Sequence, residues 1–250
     1  MKIRRGFISN SSSSSFILLL KRKPKDVEDT LKLVYPMSFE EAIKYHIHYD
    51  YSEDTVLHAP EAAKLIYDQL KEHEESWGKK EKGGYKSPTK IQRIGSFVHR
   101  DYYYCDKSWR ETPALESHID EDDRHALVTA SLDRNAKHEA EMYLFHKYRD
   151  KYEKQLKEGK PEKYTPDWNE VLTLMRSNKD YAEAEKAEKE ASDTFEVLCN
   201  KVGEKIYRKW VKAGYWIGVV SFGDENGAIG AIMEHGNAFN SIKYVRISEH

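Results

Sequence analysis

Five consecutive apolar residues, Phe16 to Leu20, are bracketed by serines on one side and by Lys21-Arg22-Lys23 on the other. A short continuous apolar run of this kind suits a strand buried on both faces. Asp26 then stands as an N-cap before Val27, Leu31 and Val34, which share one helical face ending at Pro36. Ser38-Phe39-Glu40-Glu41 has the form of a capping box, with Phe39, Ala42, Ile43, His46 and Ile47 following at helical spacing. Pro60 fits a first helical position, and Ala62, Ile66, Leu70 and Trp77 make the next stripe. Gly78 to Pro88 reads as a loop rich in lysine and glycine. Residues 91–105 read as a strand centred on Phe97-Val98 or on Tyr102-Tyr103-Tyr104. Ala140, Tyr143, Leu144, Tyr148, Tyr152 and Leu156 repeat at helical spacing until Gly159-Lys160-Pro161. Thr165-Pro166 opens another helix carrying Trp168, Val171, Leu172 and Met175. The longest helix is expected over 180–212, with a stripe of Tyr181, Ala184, Ala187, Ala191, Phe195, Leu198, Val202, Ile206 and Trp210, and Gly214 as its stop.

The end of the chain changes character. From Gly214 onward only six of 37 residues are charged, while six of the 13 glycines fall there. Tyr215–Phe222 reads as a strand, Asn226-Gly227 as a hairpin turn, Ala228–Met233 as the return strand, 234–240 as a loop and Ile242–Ile247 as a third strand. The fold class that follows is α+β. A small antiparallel sheet is built from the N-terminal strand and the C-terminal hairpin strands, and a large helical insertion lies between them. In outline the chain is one domain, 1–250, with a terminal sheet module (1–25 and 214–250) and an insertion (26–213). Phe16–Leu20 is expected to pair with Tyr215–Phe222 or Ile242–Ile247.

Charge adds local texture. The net charge of −2, from 41 basic and 43 acidic residues, excludes a globally basic nucleic-acid binder. Locally, residues 1–25 hold seven bases and no acid, and Lys79–Arg100 seven bases against Glu81. Glu111–Asp123 holds six acids and no Lys or Arg, and reads as an exposed acidic loop. Two cysteines, Cys105 and Cys199, are too few for a disulfide framework. With no run of about 18 apolar residues and no signal-peptide core, the expected location is the cytoplasm, away from membranes.

No complete catalytic motif is present. Gly78 to Gly84 fails the phosphate-loop pattern, His138-Glu139 lacks the second histidine of a zinc-protease helix, and His118–His125 lacks the glycine and final glutamate of a calcium loop. No cofactor and no metal site is therefore expected. Tyr102–Tyr104, with Tyr85, Lys90, Arg93 and Arg100, could stack bases, although the overall charge disfavours nucleic acid as the partner. The remaining candidate is a polar site made from both termini. Its N-terminal part is Arg4, Arg5 and a serine loop, Ser11, Ser12, Ser13, Ser14 and Ser15. Its C-terminal part is Asp224, Glu234, His235 and His250. Hydroxyls and amides in a tethered loop can hold an anion, and carboxylates with imidazoles can do acid–base work.

The opening Met1-Lys2-Ile3-Arg4-Arg5-Gly6-Phe7-Ile8-Ser9-Asn10-Ser11 through Phe16-Ile17 resembles a phrase that begins many proteins of large tailed bacteriophages. Asp224–Gly227, Met233-Glu234-His235-Gly236 and Arg246-Ile247-Ser248-Glu249-His250 are similar to the ending of the same proteins. The likeness covers about 50 residues at the two ends and brings no settled activity with it. It implies a viral origin and a shared terminal module. The function expected is a phage-encoded accessory protein that binds a host or phage macromolecule, most directly a protein, without catalysis. The alternatives are a small enzyme acting on a nucleotide or phosphoester through a phosphate-holding serine loop, and a minor virion component.

Overall fold

A computed structural model describes residues 13–47, 56–79, 87–103, 114–161, 163–223 and 227–248. In chain order the elements are β1 (Ser13–Leu20), α1 (Val27–Val34), α2 (Phe39–Lys44), β2 (His46–Ile47), β3 (Leu57–His58), α3 (Ala59–Ser76) and α4 (Lys90–Tyr103). They are followed by α5 (Glu121–Lys157), α6 (Trp168–Arg176), α7 (Lys179–Lys212), β4 (Trp216–Gly223), α8 (Gly227–His235) and β5 (Lys243–Ser248). The fold is α+β. Two compact units divide the chain, 1–94 with 204–250 and 95–203, so the unit that holds the terminal sheet also takes in α1–α3.

In the first unit β1 is the central strand of a three-stranded antiparallel sheet ordered β4-β1-β5. Phe16 lies opposite Val220 on one side and Arg246 on the other, so the apolar run pairs with both C-terminal strands. All of Phe16 to Leu20 is buried, as a strand covered on both faces requires. One face carries Phe16, Leu18, Leu20, Val220 and Phe222 into a core shared with Leu31 and Val34 of α1, Ala62, Ile66 and Leu70 of α3, and Ile232 and Met233 of α8. Each of these buried side chains larger than alanine contributes roughly 1.5–3 kcal/mol. Phe239 closes the core over Phe16, with ring centroids 4.7 Å apart.

The expected hairpin after β4 is not there. Gly227–His235 is helix α8 and not a return strand, and 224–226 lie outside the described residues. The reason is topological. β4 and β5 are both antiparallel to β1 and flank it, so they run parallel to each other. A tight turn cannot join parallel strands; a crossover can, and it commonly includes a helix. Ala228, Ala231, Met233 and Glu234 are good helix formers, and a continuous apolar run does not by itself separate helix from strand.

The first helices follow their signals. Asp26 caps α1 through a 2.7 Å bond from the Asp29 amide, and Ser38 and Glu41 complete the capping box of α2. α2 ends at Lys44, however, and His46-Ile47 pairs with Leu57-His58 as a two-residue ladder. α3 buries Ala59, Ala62, Ala63, Ile66 and Leu70.

The 95–203 unit is helical. The strand expected within 91–105 is α4 instead, with Ile94, Phe97, Val98 and Tyr102 buried at helical spacing. Glu121–Asp123, placed by sequence in an acidic loop, form the first turn of α5, where carboxylates complement the helix dipole. α5, at 37 residues, is longer than α7, at 34. Tyr148, Tyr152, Val171, Met175 and Tyr181 form a core joining α5, α6 and α7. The Tyr181 hydroxyl donates to Glu141 at 3.1 Å, and Asn178 donates to the Tyr152 hydroxyl.

Candidate functional site

The sheet brings part of the sequence-derived site together. Ser13, Ser14 and Ser15 are not a loop but the first three residues of β1. Ser14 faces α8, on the same side of the strand as Phe16, and its hydroxyl donates to Glu234 Oε1 at 2.9 Å. Arg246 of β5, opposite Phe16 in register, donates through Nε to the Ser14 hydroxyl at 3.2 Å and holds a guanidinium nitrogen 3.7 Å from Glu234 Oε1. His235, the last residue of α8, places Nε2 3.5 Å from Glu234 Oε2 and Nδ1 3.4 Å from the Arg246 guanidinium. Ser14 is 0% and Glu234 1% exposed, so the carboxylate has left water and is compensated by a hydroxyl, a guanidinium and an imidazole. On the opposite face Ser15 and Ser221 share a hydroxyl–hydroxyl bond of 2.8 Å.

Of the candidate residues, the fold therefore unites Ser14, Glu234 and His235. Ser15 is turned to the other side of the strand, and Ser13 pairs through its backbone with Gly223. Arg4, Arg5, Ser11, Ser12, Asp224 and His250 lie outside the described residues. Arg246 is the member that sequence reasoning missed as a site residue. Its signals were a base within an alternating strand, a place where charged side chains usually face water, and its membership of the closing phrase Arg246–His250. Among the described residues no group of three or more His, Cys, Asp or Glu side chains is arranged to hold a metal ion. No described helix is long and apolar enough to cross a membrane.

The hydroxyls of Ser14 and Ser15 point at protein partners, and two concave surfaces among the described residues of this unit lie elsewhere. An apolar groove of about 710 Å³ is formed by Val27 and Leu31 of α1, Met37 and Pro60, with Glu28 and Lys32 beside them. Glu28 and Lys32 form an i,i+4 ion pair at 2.6 Å, so this rim carries no net charge. Met37 and Pro60 could not be assigned to a groove from sequence, because their meeting depends on how α1 and α3 pack.

A smaller cleft of about 220 Å³ lies between the β1–α1 connection, α3 and Trp216. Behind it, Lys90 sits 4.3 Å above the Trp216 ring, donates to the Ile217 carbonyl at 3.0 Å and pairs with Glu74. Burial pulls the Lys90 ammonium below its usual range against the pull of Glu74. Burial alone would raise the Glu74 carboxyl, but Lys90 and Lys23 outweigh it and it titrates below the ordinary carboxylate range. Lys90 is thus engaged in the protein interior and does not join a base-stacking surface. Tyr102, in the other unit, is likewise buried.

Comparison with known proteins finds no matching family model and no significantly similar curated protein or solved structure.

Proposed function

We propose that this chain is a phage-encoded binding protein, without catalysis, that holds an apolar segment of a host or phage protein in the groove beside α1, in the cytoplasm of the host cell. The observation that carries the reading is the groove itself. Val27, Leu31, Met37 and Pro60 surround about 710 Å³ of solvent-facing space, within the range that seats ligands. A flexible thioether such as Met37 adapts to varied apolar partners. The charge-balanced Glu28–Lys32 rim favours a neutral apolar segment over a phosphate backbone. The terminal phrases described above support the phage origin. The inward-turned Ser14 and Glu234 weigh against a phosphate-holding role for that serine and favour a structural one.

The test is a pull-down from infected cells, followed by reconstitution of the complex from purified chain and purified partner. Calorimetry is expected to show a negative heat-capacity change, the marker of apolar burial. Met37→Glu is expected to weaken binding at least about tenfold by placing a charge in the groove. Binding that ignores Met37→Glu, or no binary complex at all, overturns the reading.

A further inference from the structure

The cleft beside Trp216 has a composition that the groove lacks. Its walls are Pro24, Leu70 and the Trp216 ring, and its mouth carries Lys23, Lys25 and Lys71. Lys71 and Glu74 lie three residues apart on α3, on the helix face that looks into the cleft. Glu74 is already matched, because Lys23 reaches it at 3.2 Å from one side and Lys90 pairs with it from the other. Lys25 and Lys71 make no ion pair with any described residue. With Glu75 the only other carboxylate in the lining, the cleft carries a surplus of positive charge.

The walls are held in place before any ligand arrives. Both backbone groups of Lys25 are fixed: its amide donates to Asp29 at 3.0 Å, and its carbonyl accepts from the Tyr67 hydroxyl at 3.0 Å. Pro24, immediately before it, is buried. Lys90 lies against the Trp216 ring. Gly218 allows the close approach that seats Leu70 and Trp216, since a Cβ there would come within 2.5 Å of Leu70 Cδ2 and 2.9 Å of Trp216 Cζ3.

We propose that this cleft binds a small anion with a single planar ring, a monocyclic aromatic or heterocyclic compound bearing one carboxylate or phosphate. The ring lies against Trp216, Leu70 and Pro24, and the anionic group meets the Lys25 and Lys71 ammonium groups. The volume sets the size. An apolar cavity of about 150 Å³ holds benzene, so about 220 Å³ seats one ring with a substituent and not a fused, extended ligand. The charges set the sign, because with Lys23 matched to Glu74 the cleft keeps Lys25 and Lys71 against Glu75 alone, a surplus that favours an anion. The site is separate from the α1 groove, and neither depends on the other.

The experiment titrates the full chain with phenyl phosphate, benzoate, inorganic phosphate and benzyl alcohol, following ligand-observed NMR and Trp216 fluorescence with Trp216→Phe as the control. Phenyl phosphate or benzoate is expected to bind saturably with a dissociation constant on the order of 1 mM or tighter, as suits a fragment of this size. Inorganic phosphate and benzyl alcohol, each supplying only half of the recognition, are expected to bind at least about tenfold more weakly. Lys25→Ala with Lys71→Ala, both at exposed positions, is expected to lose about tenfold for the aromatic anions while the thermal midpoint stays unchanged. The proposal fails if no probe saturates, if benzyl alcohol binds as well as the anions, or if the folded double variant binds as the parent does. Equal binding of inorganic phosphate and phenyl phosphate would also overturn it, reducing the cleft to a generic anion site.

Discussion

Ser14 and Glu234, 220 positions apart in the chain, share a buried hydrogen bond of 2.9 Å. The bond ties the start of the central strand to the end of α8, and Arg246 on the neighbouring strand completes it from the side. A buried carboxylate tolerates few losses, because each missing partner leaves charge unmatched in a medium that cannot solvate it. Ser14→Ala is therefore expected to lower unfolding stability by roughly 1–3 kcal/mol. A double-mutant cycle with Arg246→Leu should give a coupling of about 0.5–3 kcal/mol. Urea denaturation measures both, and strictly additive losses would show that Ser14 and Arg246 act independently.

Gly95 lies where α4 meets α7 within the helical unit. A Cβ at this position would stand 2.3 Å from Asn200 Oδ1 and 2.9 Å from the Asn200 Cα. The side-chain oxygen can swing away, but the backbone carbon cannot move without displacing α7. Gly95→Ala is expected to cost roughly 1–3 kcal/mol despite alanine's better helix propensity. A gain in thermal midpoint would mean the helices do not approach this closely.

The helical unit should also respond to pH through Asp101. Burial pushes its carboxyl up to about 6, against the Leu115 amide that donates to it and against Arg100. The raised value means the native state holds this proton more readily than the unfolded chain. Stability then falls as pH rises from about 4 to about 6 and stays lower above that, with a contribution of up to about 3 kcal/mol. Asp101→Asn keeps an acceptor for the Leu115 amide and removes the charge. It is expected to raise stability at pH 7 and to flatten the profile between pH 4 and 6. Identical profiles for variant and parent would exclude Asp101 as the titrating group.

β4 is an edge strand whose outer backbone groups are answered by side chains. Gln69 donates to the Ser221 carbonyl and accepts from the Ser221 amide, both at 2.7 Å, and His73 and Lys90 take the Val219 and Ile217 carbonyls. Unanswered edges recruit other chains. Gln69→Ala is expected to cost about 1–2 kcal/mol and to raise concentration-dependent association. Light scattering across a dilution series reads the second effect, and a monodisperse, equally stable variant would remove the edge-sealing role.

Local signals determined much of this molecule. Asp26, Ser38, Pro60, Gly159 and Gly214 mark element ends because capping and left-handed turns depend on a few neighbouring residues. The Phe16–Leu20 run specified a strand buried on both faces, and because neither end has enough strands for independent stability, pairing between the termini was the economical solution. The α7 stripe was legible too, although Cys199, absent from it, is buried with its thiol pushed up to about 12 by that burial, while Leu198 is only half-buried. Ile94, Phe97, Val98 and Tyr102 recur at three and four residues, a helical period that the aromatic and β-branched content of the segment had masked. Tertiary structure decided the rest. Asn226-Gly227 announced a hairpin, but with β1 between β4 and β5 those strands must run parallel, and the segment became a crossover helix. Ser14, Glu234 and Arg246 meet only because strand register sets which side chains share a face. Register is a property of paired strands, and no single stretch of the sequence contains it.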